Sequence, residues 1–321
     1  MLQTVIVIVT FNSAADIERC VRSAAHHCAW LQPGTHEVHV VDNASTDDTR
    51  TILAQLAQEF AWLQIHLNDE NLGFGNANNV VLRGIEARTY WLLNADAWLI
   101  ADSIGPAHEL ILRNEDIGVV GLPLVFPDGS PQTAAFERSS AFRWFLFILG
   151  ARRLANRMIR SPLFKSLMLR LPLTKTFART HGVSPLPLAE AARPVRADDL
   201  RVRDASWVAG AALGISRPFR DASGGFDPAI FLYGEDEDLC LEAHRRGFRV
   251  TIVDGPPVVH KLGWNASKAF NFTVARLKYR SLKYFIGKNV QFFPERMAMY
   301  ALLPFYVYGR HVFAALIRSR S

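Results

Sequence analysis

Residues 4–10 read TVIVIVT and residues 37–43 read EVHVVDN, two apolar β-branched runs that each close on polar residues: Thr10 in the first, Asp42-Asn43 in the second. Short runs with no polar face suit strands covered on both sides, as in a parallel sheet. Between them, Ile17, Cys20, Val21 and Ala24 recur at helical spacing behind Ser13, a residue able to cap a helix. Asp47-Asp48 open a second helix with Ile52, Leu53, Leu56 and Phe60 on one face, its acids at the positive end of the helix dipole. A third strand, Leu63 to Leu67, leads through the turn-rich Asn68-Asp69-Glu70-Asn71-Leu72-Gly73 into a helix predicted to run through Ala87. Tyr90 to Leu93 is a fourth buried strand, followed by Asn94-Ala95-Asp96. The order βαβαβαβ predicts an α/β fold with a mostly parallel central sheet and helices on both faces.

Ligands of open α/β sheets bind beyond the carboxyl ends of the strands. Thr10 and Asn12, Asp42 and Asn43, Asn68 to Asn71, and Asn94 with Asp96 all fall at such ends. Asn and Asp also favour turns for local reasons, yet four successive strands delivering them to one edge predicts a site. Gly73-Phe74-Gly75 opens a helix, but no Gly-Lys-Ser/Thr follows it and the third glycine of a dinucleotide fingerprint is absent. A P-loop and a hydride-transfer enzyme are both disfavoured.

In the second half, Trp207 to Ile215 reads WVAGAALGI, with glycines at 210 and 214, and Tyr233-Gly234 precedes four consecutive acids, Glu235-Asp236-Glu237-Asp238. Leu239, Leu241 and Ala243 follow, and Arg245-Arg246-Gly247 closes what reads as a helix with an acidic first turn. Dipole complementation explains one or two of these acids. Four together tend to raise a pKa or recruit a cation. After a strand at Val250 to Val253, Val258-Val259-His260 sets a histidine behind an apolar pair, where a structural role and a metal-ligand role are both open.

The chain has 321 residues, half of them hydrophobic, enough for one large α/β core. Its three cysteines, Cys20, Cys28 and Cys240, form no C-x₂-C pair and no even framework, which predicts a reducing compartment. The apolar run at Val5 to Val9 lacks a basic flank and reads as a strand, not a signal peptide. The net charge of +6 is unevenly spread: residues 138–189 carry ten Lys/Arg and no acid, and residues 268–321 carry ten Lys/Arg against Glu295. These segments hold +10 and +9, leaving −13 for the rest.

Taken in order, VIVTFNSAADIERCVRSA, VVDNASTDDT, NLGFGNANN, LLNADAWL, WVAGAALGISR, GGFDPAIFLYGEDEDLCLEAHRRGF and VVHKLG resemble the inverting nucleotide-sugar glycosyltransferases of family 2, with the GT-A fold, and within them the rhamnosyltransferase-like branch. The resemblance spans Val5 to about Lys288. It implies a catalytic domain over residues 1–265, with a basic amphipathic insertion at 138–190 and a helical C-terminal region at 266–321. Thr10, Asn12 and Asp42 would line the nucleobase pocket, with Asn43 and Gly210 in the same donor-binding set, and Gly73 to Asn79 would lie beside ribose and diphosphate. Asn94-Ala95-Asp96 stands at the family's DxD position, with an amide first where many members have a carboxylate. Asp96 would hold Mg²⁺ or Mn²⁺ on the diphosphate, and His260 matches a position that in some members completes the metal shell. Asp236 would be the base that accepts the acceptor's proton, with Glu235 and then Asp238 as the next carboxylates. The partners implied are a nucleotide-diphosphate sugar, with dTDP-rhamnose suggested by the branch and UDP- and GDP-sugars open beside it, and a growing cell-surface glycan, lipid-linked in one form.

In the basic insertion, Phe142, Phe145, Leu146 and Leu149 precede a helix start at Ser161-Pro162, with Leu163, Phe164, Leu167, Met168 and Leu171 on one face among arginines and lysines. Basic amphipathic stretches of this kind read as membrane-surface or nucleic-acid binding, and Phe, Leu and Met favour lipid. The expected location is therefore cytoplasmic, peripheral on the inner face of the cell membrane; packing on the catalytic domain or pairing of two subunits is the alternative. A sugar-phosphate nucleotidyltransferase should carry a Gly-rich Arg/Lys signature after its first strand, which Thr10-Phe11-Asn12-Ser13 lacks. A nucleic-acid binder leaves the strand-end polar residues and the acidic cluster unexplained.

Overall fold

The structure is a computed structural model that describes residues 1–149, 192–262 and 271–318. These form two compact units, residues 1–137 with 192–262, and residues 138–149 with 271–318. In chain order the elements are β1 (Leu2–Thr10), α1 (Ile17–His27), β2 (His36–Asp42), α2 (Thr49–Glu59), β3 (Leu63–Leu67), α3 (Phe74–Gly84), β4 (Ala87–Asn94), β5 (Ala97–Leu99), α4 (Ile104–Arg113) and β6 (Ile117–Gly121). Then come β7 (Leu124–Val125), β8 (Pro131–Gln132), β9 (Ala135–Phe136), α5 (Ala141–Ile148), β10 (Val202–Asp204), β11 (Trp207–Val208), β12 (Ala212–Ser216) and α6 (Arg217–Ser223). The remaining elements are α7 (Glu235–Arg245), β13 (Arg249–Val253), β14 (Val258–His260), α8 (Phe272–Asn289) and α9 (Phe293–Arg318).

In the first unit an eight-stranded sheet runs β10-β13-β6-β12-β4-β1-β2-β3. Strands β3, β2, β1, β4, β6 and β13 point one way, and only β12 and the edge strand β10 oppose them. The expected mostly parallel sheet is therefore present. Val5, Ile6, Val7 and Ile8 of β1 are all fully buried. Successive strand residues face opposite sides, so both faces of the sheet are covered. A smaller sheet, β5-β14-β7-β8, and a β9-β11 ribbon complete the unit.

Two boundaries differ from the sequence reading. Helix α1 begins at Ile17 behind Asp16, not at Ser13. The Ser13 carbonyl instead accepts the Asp16 and Ile17 N–H groups, and its hydroxyl donates to the Phe11 carbonyl at 3.3 Å, so it closes a turn ahead of the helix. Helix α3 stops at Gly84 and does not reach Ala87, which starts β4. The hydroxyl of buried Tyr90 accepts from the Ala87 N–H at 3.0 Å and donates to the Ile85 carbonyl at 2.7 Å, pinning a tight helix-to-strand turn that apolar periodicity does not reveal.

In the second unit, Trp144 of α5 is buried and stacks on Tyr306 of α9 at 4.3 Å between ring centroids, and an Arg138 guanidinium N–H donates to the Asn289 carbonyl at 2.6 Å. The expected helix from Ser161-Pro162, with Leu163, Phe164, Leu167, Met168 and Leu171, lies outside the described residues. Among the described residues no helix is long and apolar enough to cross a membrane.

Gly214 of β12 sits opposite Trp91 of β4, and a Cβ there would stand 2.6 Å from the indole, whose residue is 1% exposed. Both neighbours are sheet-bound, so neither yields cheaply. Gly214→Ala should cost about 1–3 kcal/mol of stability, read as a lowered urea midpoint; an unchanged midpoint would show that β4 and β12 are not packed this closely.

Candidate active site

Parallel pairing sets the first part of the site. Thr10 at the end of β1 pairs with Asp42 at the end of β2, and Val9 pairs with Asn94 at the end of β4, so three polar strand ends reach one edge of the sheet in register. The Asn94 N–H donates to the Ala211 carbonyl at 3.0 Å, which brings the segment before β12 to the same edge. There the Gly210 N–H donates to Asp236 Oδ2 at 3.3 Å, and the first turn of α7 joins the group.

Asp42 is fully buried. Its Oδ2 accepts from Arg50 Nε at 2.6 Å and from the Ser45 N–H at 3.1 Å, while its Oδ1 and the Thr10 hydroxyl are buried with no partner. Buried polar atoms without partners are costly and rare, so this pair marks a place where a polar ligand group would be bound. Arg50 was not singled out by sequence reasoning; the signal available was a cation in the first turn of a helix that follows Asp42 by one loop.

Three of the expected donor-binding residues use their side chains on the protein itself. Asn12, at a left-handed φ of 51°, accepts on Oδ1 from the Thr46 N–H at 2.8 Å. Asn43 donates to the Gly73 carbonyl at 3.1 Å and accepts from Asn68 Nδ2 at 2.9 Å, holding the loop ahead of α3. Asn79 is 4% exposed and clips the backbone of Phe226 with both amide ends, donating to its carbonyl and accepting from its N–H at 2.9 Å each. Gly73 has a φ of 82°, and a Cβ on it would lie 2.2 Å from the Phe231 carbonyl oxygen. No other residue allows the loop after β3 to approach the segment before α7 this closely.

Asp96 and His260 come together, with His260 Nε2 3.3 Å from Asp96 Oδ1 and 3.3 Å from Asn94 Nδ2. Gln132 orients the ring. Its Nε2 donates to the His260 carbonyl at 3.2 Å, which turns its Oε1 toward Nδ1 at 2.7 Å and places a proton on Nδ1. The Nε2 lone pair is then left for the side of Asp96 and Asn94. The Asn94 amide donates to that lone pair, and an imidazole oriented from its far nitrogen is the arrangement of histidine metal ligands. Among the described residues no three His, Cys, Asp or Glu side chains converge. The protein thus offers a carboxylate and an imidazole, a set that fits a cation whose other ligands come from a bound molecule. Gln132 lies on two-residue β8, and no local pattern singled it out.

In the acidic turn, Glu235, Glu237 and Asp238 are buried, and burial pushes the Asp236 carboxyl above its ordinary range. The N–H groups of Gly210 and Glu237 oppose that shift without cancelling it. Desolvation therefore outweighs these backbone N–H groups; the neighbouring acids, expected to raise the pKa, are not among the causes.

The family model described as "Glycosyl transferase family 2" matches residues 5–177, more than half the chain. The chain belongs to glycosyl transferase family 2. No curated protein sequence matches it. Among solved structures, this family 2 chain is similar in fold to GalNAc-T7 with UDP, GalNAc and Mn²⁺, at a TM-score of 0.56 and 14% identity over 89% of this chain and 47% of that one. It is also similar to the mannosyltransferase PcManGT from Pyrobaculum calidifontis in complex with GDP-Man and Mn²⁺, at 0.52 and 17% over 95% and 69% of the two chains. S. aureus TarS 1-349 in complex with UDP-GlcNAc gives 0.53 and 14% over 95% and 72%. The chain spans about half the length of GalNAc-T7. At these identities the shared feature is the GT-A fold.

Because Asn79 spends its amide on Phe226, Asn79→Ala should act on stability first. It leaves the buried Phe226 N–H unpaired and its carbonyl with only the 3.4 Å bond from Arg83, a loss of about 1–3 kcal/mol, measurable by urea unfolding. A variant with wild-type stability but weakened ligand binding would instead make Asn79 a direct contact.

Proposed function

We propose that the chain is an inverting glycosyltransferase that moves a sugar from a nucleotide diphosphate to a hydroxyl of a cell-surface glycan. Rhamnose is the sugar suggested by the branch it resembles, and a lipid-linked acceptor at the cytoplasmic face of the cell membrane is the setting. The observation that carries this reading is the unpartnered pair of Thr10 Oγ1 and Asp42 Oδ1, buried at the same sheet edge that gathers Asp96, His260 and Asp236. A ring N–H of a pyrimidine base is the complement of Asp42 Oδ1. The donors named for the structural neighbours, UDP, GDP-Man and UDP-GlcNAc, support the donor class.

Asp96 Oδ1 and His260 Nε2 would hold the divalent ion, with Gln132 fixing the imidazole and the Asn94 amide adding a polar group but no charge. Mg²⁺ prefers oxygen ligands alone, so Mn²⁺ suits this pair better. When bound, the ion offsets the negative charge that develops on the leaving diphosphate. Asp236 accepts the proton of the acceptor hydroxyl as that oxygen attacks the anomeric carbon from the face opposite the diphosphate, which inverts the configuration in one displacement. Its raised pKa makes it a better base than an exposed carboxylate. Glu235 is the neighbouring carboxylate at the helix start.

A thermal-shift panel of nucleoside diphosphates and their sugars, with and without Mn²⁺, tests the donor and metal parts. A donor at a hundred times its Kd should stabilise the fold by about 2.7 kcal/mol, with the larger shift in Mn²⁺; no shift with any diphosphate would overturn the reading.

Asp236→Asn should retain donor binding and lose roughly 10²–10⁴-fold in turnover. In the wild type, kcat/KM should fall as pH drops through the raised Asp236 pKa, because only the ionised carboxylate accepts the proton. The same shift has a stability sign. A native carboxyl with a raised pKa holds its proton at pH values where the unfolded chain has released it, so stability falls as pH rises through that window. The Asn variant should therefore be at least as stable as wild type at neutral pH. Near-wild-type turnover would pass the role to Glu235 or Asp238.

A further inference from the structure

The second unit carries a groove between its two long helices. It has a volume of about 720 Å³ and is lined by Arg280, Lys283, Tyr284, Gly287 and Lys288 of α8 and by Tyr300 of α9. The α8 members are spaced i, i+3, i+4, i+7 and i+8, one helical face, while Leu282, Phe285, Ile286 and Asn289 on the other face are buried. Gly287 allows the helices to approach here, since a Cβ on it would lie 2.9 Å from the Tyr300 hydroxyl. Among the described residues, three cations line the groove and no carboxylate does. From residue 271 to 309 there are six Lys/Arg and the single acid Glu295.

The groove continues into an apolar edge. On α9, Phe293 and Met297 precede Tyr300 by seven and three residues, which sets them on the same helical face. They are 61% and 48% exposed, whereas Met299 and Leu303 on the inward face are fully buried. Phe292, just ahead of the helix, is 68% exposed. Basic residues beside large exposed apolar ones on helices too short in apolar length to span form the pattern of an interfacial element: the cations meet anionic headgroups and the rings enter the acyl boundary. We infer that the α8–α9 groove and its Phe293–Met297 edge dock this chain on an anionic phospholipid surface, the groove taking a lipid phosphoryl group. This rests on the membrane setting of the proposed function and is independent of the sugar chemistry.

Co-sedimentation of the full chain with phosphatidylcholine vesicles, with and without phosphatidylglycerol, tests the inference. Binding should require phosphatidylglycerol and weaken as salt screens the attraction. Replacing Arg280, Lys283 and Lys288 by Glu should lower the partition coefficient by at least on the order of a hundredfold. Phe293→Ser with Met297→Ser changes only exposed positions, so it should weaken binding without lowering the melting temperature, and it keeps the test decisive if the charge-reversed variant fails to fold. Wild-type partitioning by that double variant, equal binding to neutral vesicles, or absence of binding at low salt would overturn the inference. So would capture of inorganic diphosphate or of RNA without vesicle binding, which would reassign the groove to a soluble anion or to nucleic acid. Donor binding, followed separately by thermal shift, should be unchanged in both variants; its absence from the wild type would count against the proposed function alone.

Discussion

The hydrogen-bond ladder that joins β1 to β2 on one side and to β4 on the other is the constraint on which the site depends. Side chains along a strand alternate in direction, so the register decides which residues share a rung at the strand ends. The run from Val5 to Ile8 is buried on both faces of the sheet. Thr10 and Asp42 then end on the same rung, with Asn94 paired one residue earlier, and the chemistry at the edge inherits its spacing from the core. Antiparallel β12 extends the effect, since its pairing with β4 carries Gly210 to Asp236.

Much of what surrounds that edge is connective. Asn12, Asn43 and Asn79 bind backbone groups of other segments, and each does so where a loop would otherwise leave polar groups unpaired. Asparagine suits this work because one side chain offers a donor and an acceptor side by side. Asn79 matches a backbone N–H and carbonyl of Phe226 in that way and so ties α3 to the turn that leads into α7. Gly73 contributes from the opposite requirement, a backbone that must pass within contact of the Phe231 carbonyl.

The parallel sheet, its strand ends and the acidic start of α7 were legible because apolar runs, turn residues and the helix dipole each leave a pattern within a few positions. The helix end at Gly84 was not, since it is set by a Tyr90 hydroxyl that reaches back to Ile85 and Ala87. Asn12 and Asn79 were visible in the sequence and their partners were not: a ligand contact and a loop clip demand the same side chain, and only the position of Thr46 or Phe226 separates them. Gln132 and Arg50 were missed for the same reason, as each acts on a residue whose proximity is created by folding and not by spacing. The neighbouring pair of Asp96 and His260, 164 positions apart, was found through motif resemblance, and geometry then added the tautomer.

The four acids at the start of α7 show how one local pattern serves two ends. A helix N-terminus stabilises negative charge, which accounts for acids there but would also make each a weaker base. Asp236 escapes that outcome because burial costs its ionised form more than the dipole and the Gly210 N–H return, leaving the pKa raised. Gly210 takes part in this balance through its lack of a side chain, for its Cα already lies where a Cβ would stand 3.3 Å from Phe74 and 3.5 Å from the Asp236 Cβ. The close approach donates one hydrogen bond to the carboxylate, and desolvation remains the larger effect, so the raised pKa comes at a cost in folding free energy that a neutral amide at position 236 would not incur.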